Sequence, residues 1–187
     1  MRRIGSGLLG LIFALFSLIG SETWVGEAGA GASLHPPAPD APRRVPSGQA
    51  APAFDLVTLS GEAYSKESLK GQPTLLVFWA PWCKVCQRDL PLLAQFHQQE
   101  KPAQLRVLSI GFADLRTNVE AFVKARSSVF VFPTAYDEER WMAQAFKVNA
   151  TPTYVLLSAQ GQIVLVHRGG GVLQNVQFRE FLSTLKG

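Results

Sequence analysis

Two cysteines three positions apart are the residues of this chain best suited to chemistry. Cys83 and Cys86 are the only cysteines among its 187 residues, and they form a CxxC motif. A bond between them would close a loop of about four residues, which removes too little entropy from the unfolded chain to serve as a structural staple. One helical turn instead brings the second thiol back toward the first, so the pair can cycle between dithiol and disulfide. The motif therefore predicts a redox centre, with a buried structural pair as the alternative.

The same two thiols could also bind a metal. Attachment of a c-type haem requires a histidine directly after the second cysteine, and Gln87 occupies that position. A zinc site needs about four ligands, and besides the cysteines the chain offers only the histidines His35, His97 and His167. We therefore expect no resident metal or other cofactor, and we expect His97 and His167 to be surface or half-buried residues. A copper site built from both thiolates and one histidine stays open as an alternative.

A buried strand and a helix flank the motif. Residues 74–80 form a continuous apolar run of strand length, which is typical of a strand covered on both faces. Apolar residues then recur at mostly helical spacing over residues 83–99, where Pro91 would kink or divide the helix. This junction would place Cys83 at the helix N-terminus. There, unpaired backbone N–H groups and the helix dipole favour a thiolate and lower the pKa of Cys83.

Strands and helices alternate over the whole chain from residue 51 onward. The pattern predicts an early hairpin, a second buried strand, two further helices, a closing hairpin and a last helix. In chain order these are Phe54–Val57 with Glu62–Tyr64, Leu105–Gly111, Asn118–Ala125, a helix with negative charge at its start at Asp137–Glu139, Thr153–Leu157 with Gln162–His167, and Val176–Leu185. Helices interleaved with buried strands indicate an α/β fold, with a central sheet covered on both faces and an antiparallel pair at its end.

The N-terminal segment has the pattern of an export signal. Arg2 and Arg3 precede an uncharged and largely apolar stretch at residues 4–21. At 18 residues the stretch just reaches the lower limit for a membrane-spanning helix, so a cleaved signal and a retained anchor are both allowed. Small residues at 28–30 offer a cleavage site, but they lie unusually far from the apolar stretch. The positive-inside rule places everything after Ser21 outside the cytoplasm.

Composition separates a tether from a folded domain. Residues 22–50 are rich in glycine, alanine and proline and contain few large apolar side chains. Such a segment cannot bury enough surface to offset its ordering entropy, so we interpret it as a linker and expect the folded domain at residues 51–187. From residue 51 onward, 14 basic and 11 acidic residues are scattered without a basic run. This distribution excludes the charge pattern of a protein that binds nucleic acid.

Four segments of the sequence together resemble one family. They are Phe78–Cys86 around the motif, Asp89–Pro91 after it, Ala150–Thr153 before a predicted strand, and Ala159–Val164 in the closing hairpin. Over residues 51–187 the chain is similar to the thioredoxin-fold family of TlpA/ResA-like, membrane-tethered thiol-disulfide oxidoreductases of the bacterial cell envelope. The resemblance implies a thioredoxin-like α/β fold. In it, a central mixed β-sheet is flanked by helices, with an N-terminal β-hairpin and a central helical insertion.

The resemblance also implies roles for individual residues. Cys83 would be the nucleophile and Cys86 the resolving thiol of a redox-active disulfide. Thr151 and Pro152 would form a cis-proline loop that packs against this disulfide. In that geometry Thr151 offers backbone groups to an extended substrate segment by strand-like pairing.

Asp89 lies one helical turn after Cys86, where related enzymes carry an acid that resembles a proton-transfer partner for the sulfurs. The alternative is a solvated acid in the first turn, favoured by the helix dipole. Cytoplasmic thioredoxins have a buried acid in the strand before the motif, and the matching residue here is Val77. We expect Trp79 to pack in the core, and Trp82 to form part of an exposed apolar rim that receives a partner.

The implied activity is that of an exported protein disulfide oxidoreductase rather than an antioxidant. It would reduce disulfides of exported proteins, for example in cytochrome c maturation. Because the surroundings are oxidising, a membrane thiol-disulfide transporter would have to recharge it. We expect it in the periplasm, anchored to the inner membrane by residues 4–21. A disulfide oxidase or isomerase, the copper-binding carrier and a redox-inactive binding module remain alternatives. Many relatives have proline at the position of Val85, which leaves the direction of electron flow open.

Overall fold

The computed structural model of the chain describes residues 48–100 and 104–185. The predicted export signal at residues 1–21 and most of the predicted linker at residues 22–50 lie outside these ranges. Within them, no helix combines the length and the apolar character that a membrane span requires.

Two β-sheets are found in the described ranges. The first is the predicted hairpin, in which β1 (Asp55–Val57) and β2 (Ala63–Ser65) pair antiparallel. The second has five strands: β3 (Thr74–Trp79), β4 (Arg106–Gly111), β5 (Thr134–Tyr136), β6 (Thr153–Leu157) and β7 (Ile163–Arg168). Its spatial order is β5-β4-β3-β6-β7. The strands β3, β4 and β5 run parallel, whereas β6 is antiparallel to both of its neighbours.

Helices cover both faces of the larger sheet. They are α1 (Lys84–Gln99), α2 (Arg116–Ala125), α3 (Trp141–Ala145) and α4 (Val176–Thr184), with short 3-10 turns at Glu138–Arg140 and Val172–Gln174. On the central strand β3, Leu75, Val77 and Trp79 face the core shared with α1, α2 and α4. Leu76 and Phe78 face the core shared with α3 and the segment before β1. Since both faces of β3 are buried, its sequence is apolar throughout.

Three elements differ from the sequence prediction. The edge strand β5 is not predicted, because its three residues show no period and no tight turn joins it to the strand with which it pairs. Pro91 lies inside α1, yet the helix continues over 16 residues and is not divided. The predicted helix at Asp137–Glu139 begins instead as a 3-10 turn, and α3 is only five residues long. Glu139 and Arg140 both have left-handed backbones there, with φ of 52° and 61°, which interrupts a regular helix.

Candidate active site

The CxxC motif lies between the end of β3 and the start of α1. A disulfide joins Cys83 to Cys86, and their Cα atoms are 5.2 Å apart. Cys83 is the N-cap residue of α1, and its sulfur accepts the backbone N–H of Cys86 at 3.0 Å. Once the disulfide is reduced, the same N–H and the unpaired N–H groups of the first helical turn favour a thiolate at Cys83. The predicted position of the motif at a strand–helix junction is confirmed.

Three segments meet at this junction. They are the chain that leads from β3 to α1, the chain that follows β4, and the loop at residues 151–152. The strands β3 and β4 end side by side, and the backbone N–H of Phe112 donates to the carbonyl of Trp79 at 2.9 Å. On the other side of β3, the antiparallel register pairs Phe78 with Thr153. The preceding loop at residues 151–152 therefore lies beside the chain that leads from β3 to the motif. The peptide bond in that loop is cis, as the resemblance implies.

The backbone groups of Thr151 are unpaired in the part of the chain that the structure describes. Within the described ranges, neither its N–H nor its C=O takes part in a hydrogen bond. The next carbonyl, that of Pro152, is occupied by the N–H of Gly169 at 2.8 Å. Thr151 is half-buried and Pro152 is buried. An extended peptide that reached this loop would thus find one free donor and one free acceptor at Thr151.

Two tryptophans near the motif have opposite environments. Trp79 is fully buried, and its Nε1 donates to the hydroxyl of Ser109 at 3.1 Å. Trp82 is 58% exposed, and its Nε1 donates to the carbonyl of Ala113 at 3.0 Å. The predicted burial of Trp79 and exposure of Trp82 are confirmed. The contact with Ala113 fixes an exposed indole next to Cys83, and the sequence carries no signal for it.

Asp89 lies on the buried face of α1, one turn after Cys86, and is 8% exposed. The alternative of a solvated first-turn acid is therefore wrong. The carboxylate accepts the backbone N–H of Gly171 at 2.5 Å and lies 3.4 Å from the hydroxyl of Tyr154. The Nε atom of Arg88 is 3.5 Å away, but that side chain is 70% exposed. Asp89 is thus a buried acid held by groups from distant parts of the chain.

The neighbours of Asp89 are absent from the sequence prediction. The loop at residues 169–171 approaches so closely that a Cβ atom on Gly170 would lie 2.7 and 2.9 Å from the two carboxylate oxygens. The run of three glycines is a signal for such close backbone approach. Tyr154 follows Pro152 by two residues, and burial raises the pKa of its phenol, as does the charge of Asp89. Its hydroxyl is therefore a neutral donor near pH 7.

The two described histidines, His97 and His167, do not belong to a metal-binding cluster. Among the described residues, no group of three or more histidine, cysteine and acidic side chains is placed to hold a metal ion. His97 and His167 are half-buried, as predicted. The third histidine, His35, lies outside the described ranges.

Comparison with known proteins places this site in a family. The family model described as AhpC/TSA matches residues 47–166. The chain belongs to the AhpC/TSA family. The thioredoxin-like protein YneN of Bacillus subtilis is 35% identical over 127 residues, which cover 67% of this chain and 73% of YneN. The thiol-disulfide oxidoreductase ResA of Halalkalibacterium halodurans is 28% identical over 140 residues, which cover 75% of this chain and 77% of ResA.

A solved structure shares the fold of this family member. It is a crystal structure of a candidate thiol:disulfide interchange protein, DsbE, from Chlorobium tepidum, with a TM-score of 0.67 and 22% identity. The likeness covers 76% of this chain and 99% of that one. The predicted thioredoxin-like fold is thereby confirmed. Together with the Cys83–Cys86 disulfide, the named relatives make the chain a thiol-disulfide oxidoreductase, which confirms the predicted enzyme class.

Proposed function

We propose that this oxidoreductase is an exported reductase that breaks disulfides in cell-envelope proteins. The observation that carries the proposal is the Cys83–Cys86 disulfide at the start of α1. It lies beside a cis-proline loop in which the backbone of Thr151 has no hydrogen-bond partner among the described residues. One sulfur at the N-cap and a second inside the first helical turn suit the two successive attacks of thiol-disulfide exchange.

The reaction starts from the reduced form of the protein. The Cys83 thiolate attacks one sulfur of a client disulfide, and the other client sulfur leaves as a thiolate and takes a proton from solvent. Cys86 then loses its proton to the Asp89 carboxylate and attacks the Cys83 sulfur. The mixed disulfide breaks, the second client thiolate leaves, and the Cys83–Cys86 disulfide forms. Two electrons pass from the protein to the client in each cycle.

Surface groups around Cys83 would bind the client. An extended client segment pairs with the backbone of Thr151 through strand-like hydrogen bonds. The exposed indole of Trp82 provides apolar contact next to the attacked disulfide. The buried Pro152 packs behind this surface. These contacts orient the client sulfur toward Cys83 without any group that reads a particular side chain, which suits an enzyme with several clients.

The N-terminal sequence supports an envelope location. With residues 4–21 in the inner membrane and residues 22–50 as a tether, the enzyme faces the periplasm. Oxidising surroundings then require an electron donor, and a membrane thiol-disulfide transporter fits, since a tether raises the effective concentration between the two. Exported proteins with disulfides would be the clients, and apocytochrome c is one whose thiols must be reduced before it matures.

Trapping in living cells tests the proposal most directly. In Cys86→Ser the mixed disulfide cannot be resolved, so we expect covalent adducts through Cys83 to accumulate and to dissociate on reduction. Mass spectrometry of the trapped proteins would show envelope proteins with disulfides. The matched control is the double variant in which Cys83 is also replaced by serine, and it should trap nothing. Absence of adducts in Cys86→Ser, or adducts only with cytoplasmic proteins, would contradict the proposal.

The reduction potential of the purified protein tests the direction of electron flow. A reductase stabilises its disulfide relative to its dithiol, so we expect a potential below about −200 mV. Equilibration with glutathione buffers, read out by alkylation of free thiols, measures it. A value near about −120 mV would instead show a disulfide oxidase.

A further inference from the structure

The carboxylate of Asp89 is held by two elements other than its own helix. The backbone N–H of Gly171, in the loop after β7, donates to Oδ2 at 2.5 Å. The hydroxyl of Tyr154, on β6, lies 3.4 Å from the same oxygen. On α1 itself the Nε atom of Arg88 lies 3.5 Å from Oδ1, but that side chain is 70% exposed, so solvent screens its charge. These two donors, rather than the arginine, set the position of the carboxylate.

The loop at residues 169–171, called the glycine loop below, packs closely against this carboxylate. A Cβ atom on Gly170 would lie 2.7 and 2.9 Å from the oxygens of Asp89 and 3.0 Å from Cγ1 of Val85. The carbonyl of Gly170 in turn accepts Nε2–H of His167 at 2.9 Å, and Nδ1 of that ring is 3.3 Å from the amide nitrogen of Asn175. The loop is therefore anchored to β7 and to the N-cap of α4. Its backbone meets Asp89 where no larger residue fits.

Tyr154 links the carboxylate to the client-binding side of the site. Its ring lies 5.9 Å from that of His167, and in the sheet it stands opposite Val77. Burial raises the pKa of the phenol, and the nearby negative charge of Asp89 raises it further. The hydroxyl therefore stays protonated near neutral pH and can donate to the carboxylate. The same strand begins directly after Pro152, so one rigid element carries both the client loop and this donor.

We propose that Tyr154 and the backbone of Gly170–Gly171 are positioning groups, which hold Asp89 ready to accept the proton of Cys86 when the mixed disulfide is resolved. This inference rests on the proposed function, in which Asp89 receives that proton. In the step concerned, the Cys86 proton moves to Asp89, the S–S bond between Cys83 and Cys86 forms, and the bond to the client breaks. A hydrogen bond to the charged form of an acid favours that form, and Tyr154 is the side chain on β6 placed to donate one to Asp89.

The pH dependence of client release tests the inference. Reduced protein is mixed with an excess of a small peptide disulfide, and release of the second peptide thiol is followed between pH 5 and 9. In Tyr154→Phe the acidic limb of the profile should move upward by about one pH unit, so that the rate measured on that limb falls about tenfold. The rate at which the mixed disulfide forms should be the same as in the wild type. The titratable groups around Asp89 are Arg88 and Tyr154, which contact it, Cys86, which lies one helical turn earlier, and His167, which lies behind the loop. The variant changes only one of them.

Two further variants separate positioning from stability. Gly170→Ala pushes a methyl group into the carboxylate and should move the acidic limb in the same direction while the protein stays folded by circular dichroism. Tyr136→Phe is the matched control, because its hydroxyl donates to the carbonyl of Asp114 at 3.0 Å and not to Asp89. We expect its profile to match that of the wild type.

A double variant tests whether Tyr154 acts through Asp89. In the Asp89→Asn background, Tyr154→Phe should leave the pH profile unchanged, because the group it positions is gone. A uniform loss of rate at all pH values, or a shift that persists without the carboxylate, would overturn the inference. If the wild-type protein forms no mixed disulfide at all, the proposed function fails, and this result is distinct from a wild type that turns over while Tyr154→Phe shows a normal profile.

Discussion

Replacing Cys83 by serine is expected to reduce disulfide exchange to the uncatalysed rate. Only the Cys83 sulfur sits at the helix N-cap, where it accepts the N–H of Cys86 at 3.0 Å and a thiolate is stabilised. Cys86 is 1% exposed, against 5% for Cys83, and lies inside α1 on its buried face, so it is the less accessible of the two sulfurs. The remaining thiol is therefore poorly placed to take over the first attack. Reduction of a peptide disulfide, with a chemical reductant to regenerate the protein, measures the loss.

The matched variant, Cys86→Ser, should separate the two steps. It keeps the Cys83 thiolate, so the first client thiol is released at a rate close to that of the wild type. The reaction then stops after one turnover as a stable mixed disulfide, which intact mass spectrometry detects. If Cys86→Ser lost the first attack while Cys83→Ser kept it, the assignment of nucleophile and resolving thiol would be reversed.

Removing the indole of Trp79 should destabilise the protein more than any change on the site surface. Trp79 is fully buried, and its ring centroid lies 4.8 Å from that of Phe130 and 5.4 Å from that of Phe122. Its Nε1 also donates to Ser109. Trp79→Ala leaves a cavity and a lost hydrogen bond in the core, so we expect the free energy of unfolding to fall by about 3–5 kcal/mol. Urea denaturation of the oxidised protein, followed by circular dichroism, measures the change.

The exposed tryptophan of the same run provides the control. Trp82→Ala removes a ring that is 58% exposed and one hydrogen bond to Ala113, so its cost should stay near or below about 1 kcal/mol. Under the proposed function it should instead weaken client binding, seen as a higher KM for peptide disulfides. Equal losses of stability in the two variants would show that exposure does not distinguish these tryptophans.

The strands show which parts of the fold the sequence can predict. The apolar run at 74–80 predicts β3, because a central strand that is buried on both faces is apolar throughout. This pattern can be seen in the sequence without knowing which strands pair with it. The strand β5 has only three residues, at Thr134–Tyr136, and it exists because β4 pairs with it in parallel. That pairing joins segments about 25 residues apart, and no local pattern records it. Pro91 could kink or divide the helix on sequence alone, and only the folded helix shows that α1 continues through it.

The candidate site, like the fold, has features that the sequence predicts and features that only the structure shows. The spacing of Cys83 and Cys86 brings their side chains close together, because one turn of helix places residues three apart on the same face. The position of Asp89 one turn further follows from the same rule. Its environment does not, since the groups that hold the carboxylate come from Tyr154 and Gly171, 65 and 82 residues later in the chain.

The sequence by itself thus determined the redox pair, the strand and helix that place it, and the α/β character of the domain, because each depends on residues that are neighbours along the chain. Tertiary structure alone decided that Asp89 is buried rather than solvated, that a glycine loop and Tyr154 hold it, and that the Trp82 indole is fixed against Ala113. These features require distant segments to meet, and the energy that brings them together is spread over the whole core rather than encoded at any one of the positions.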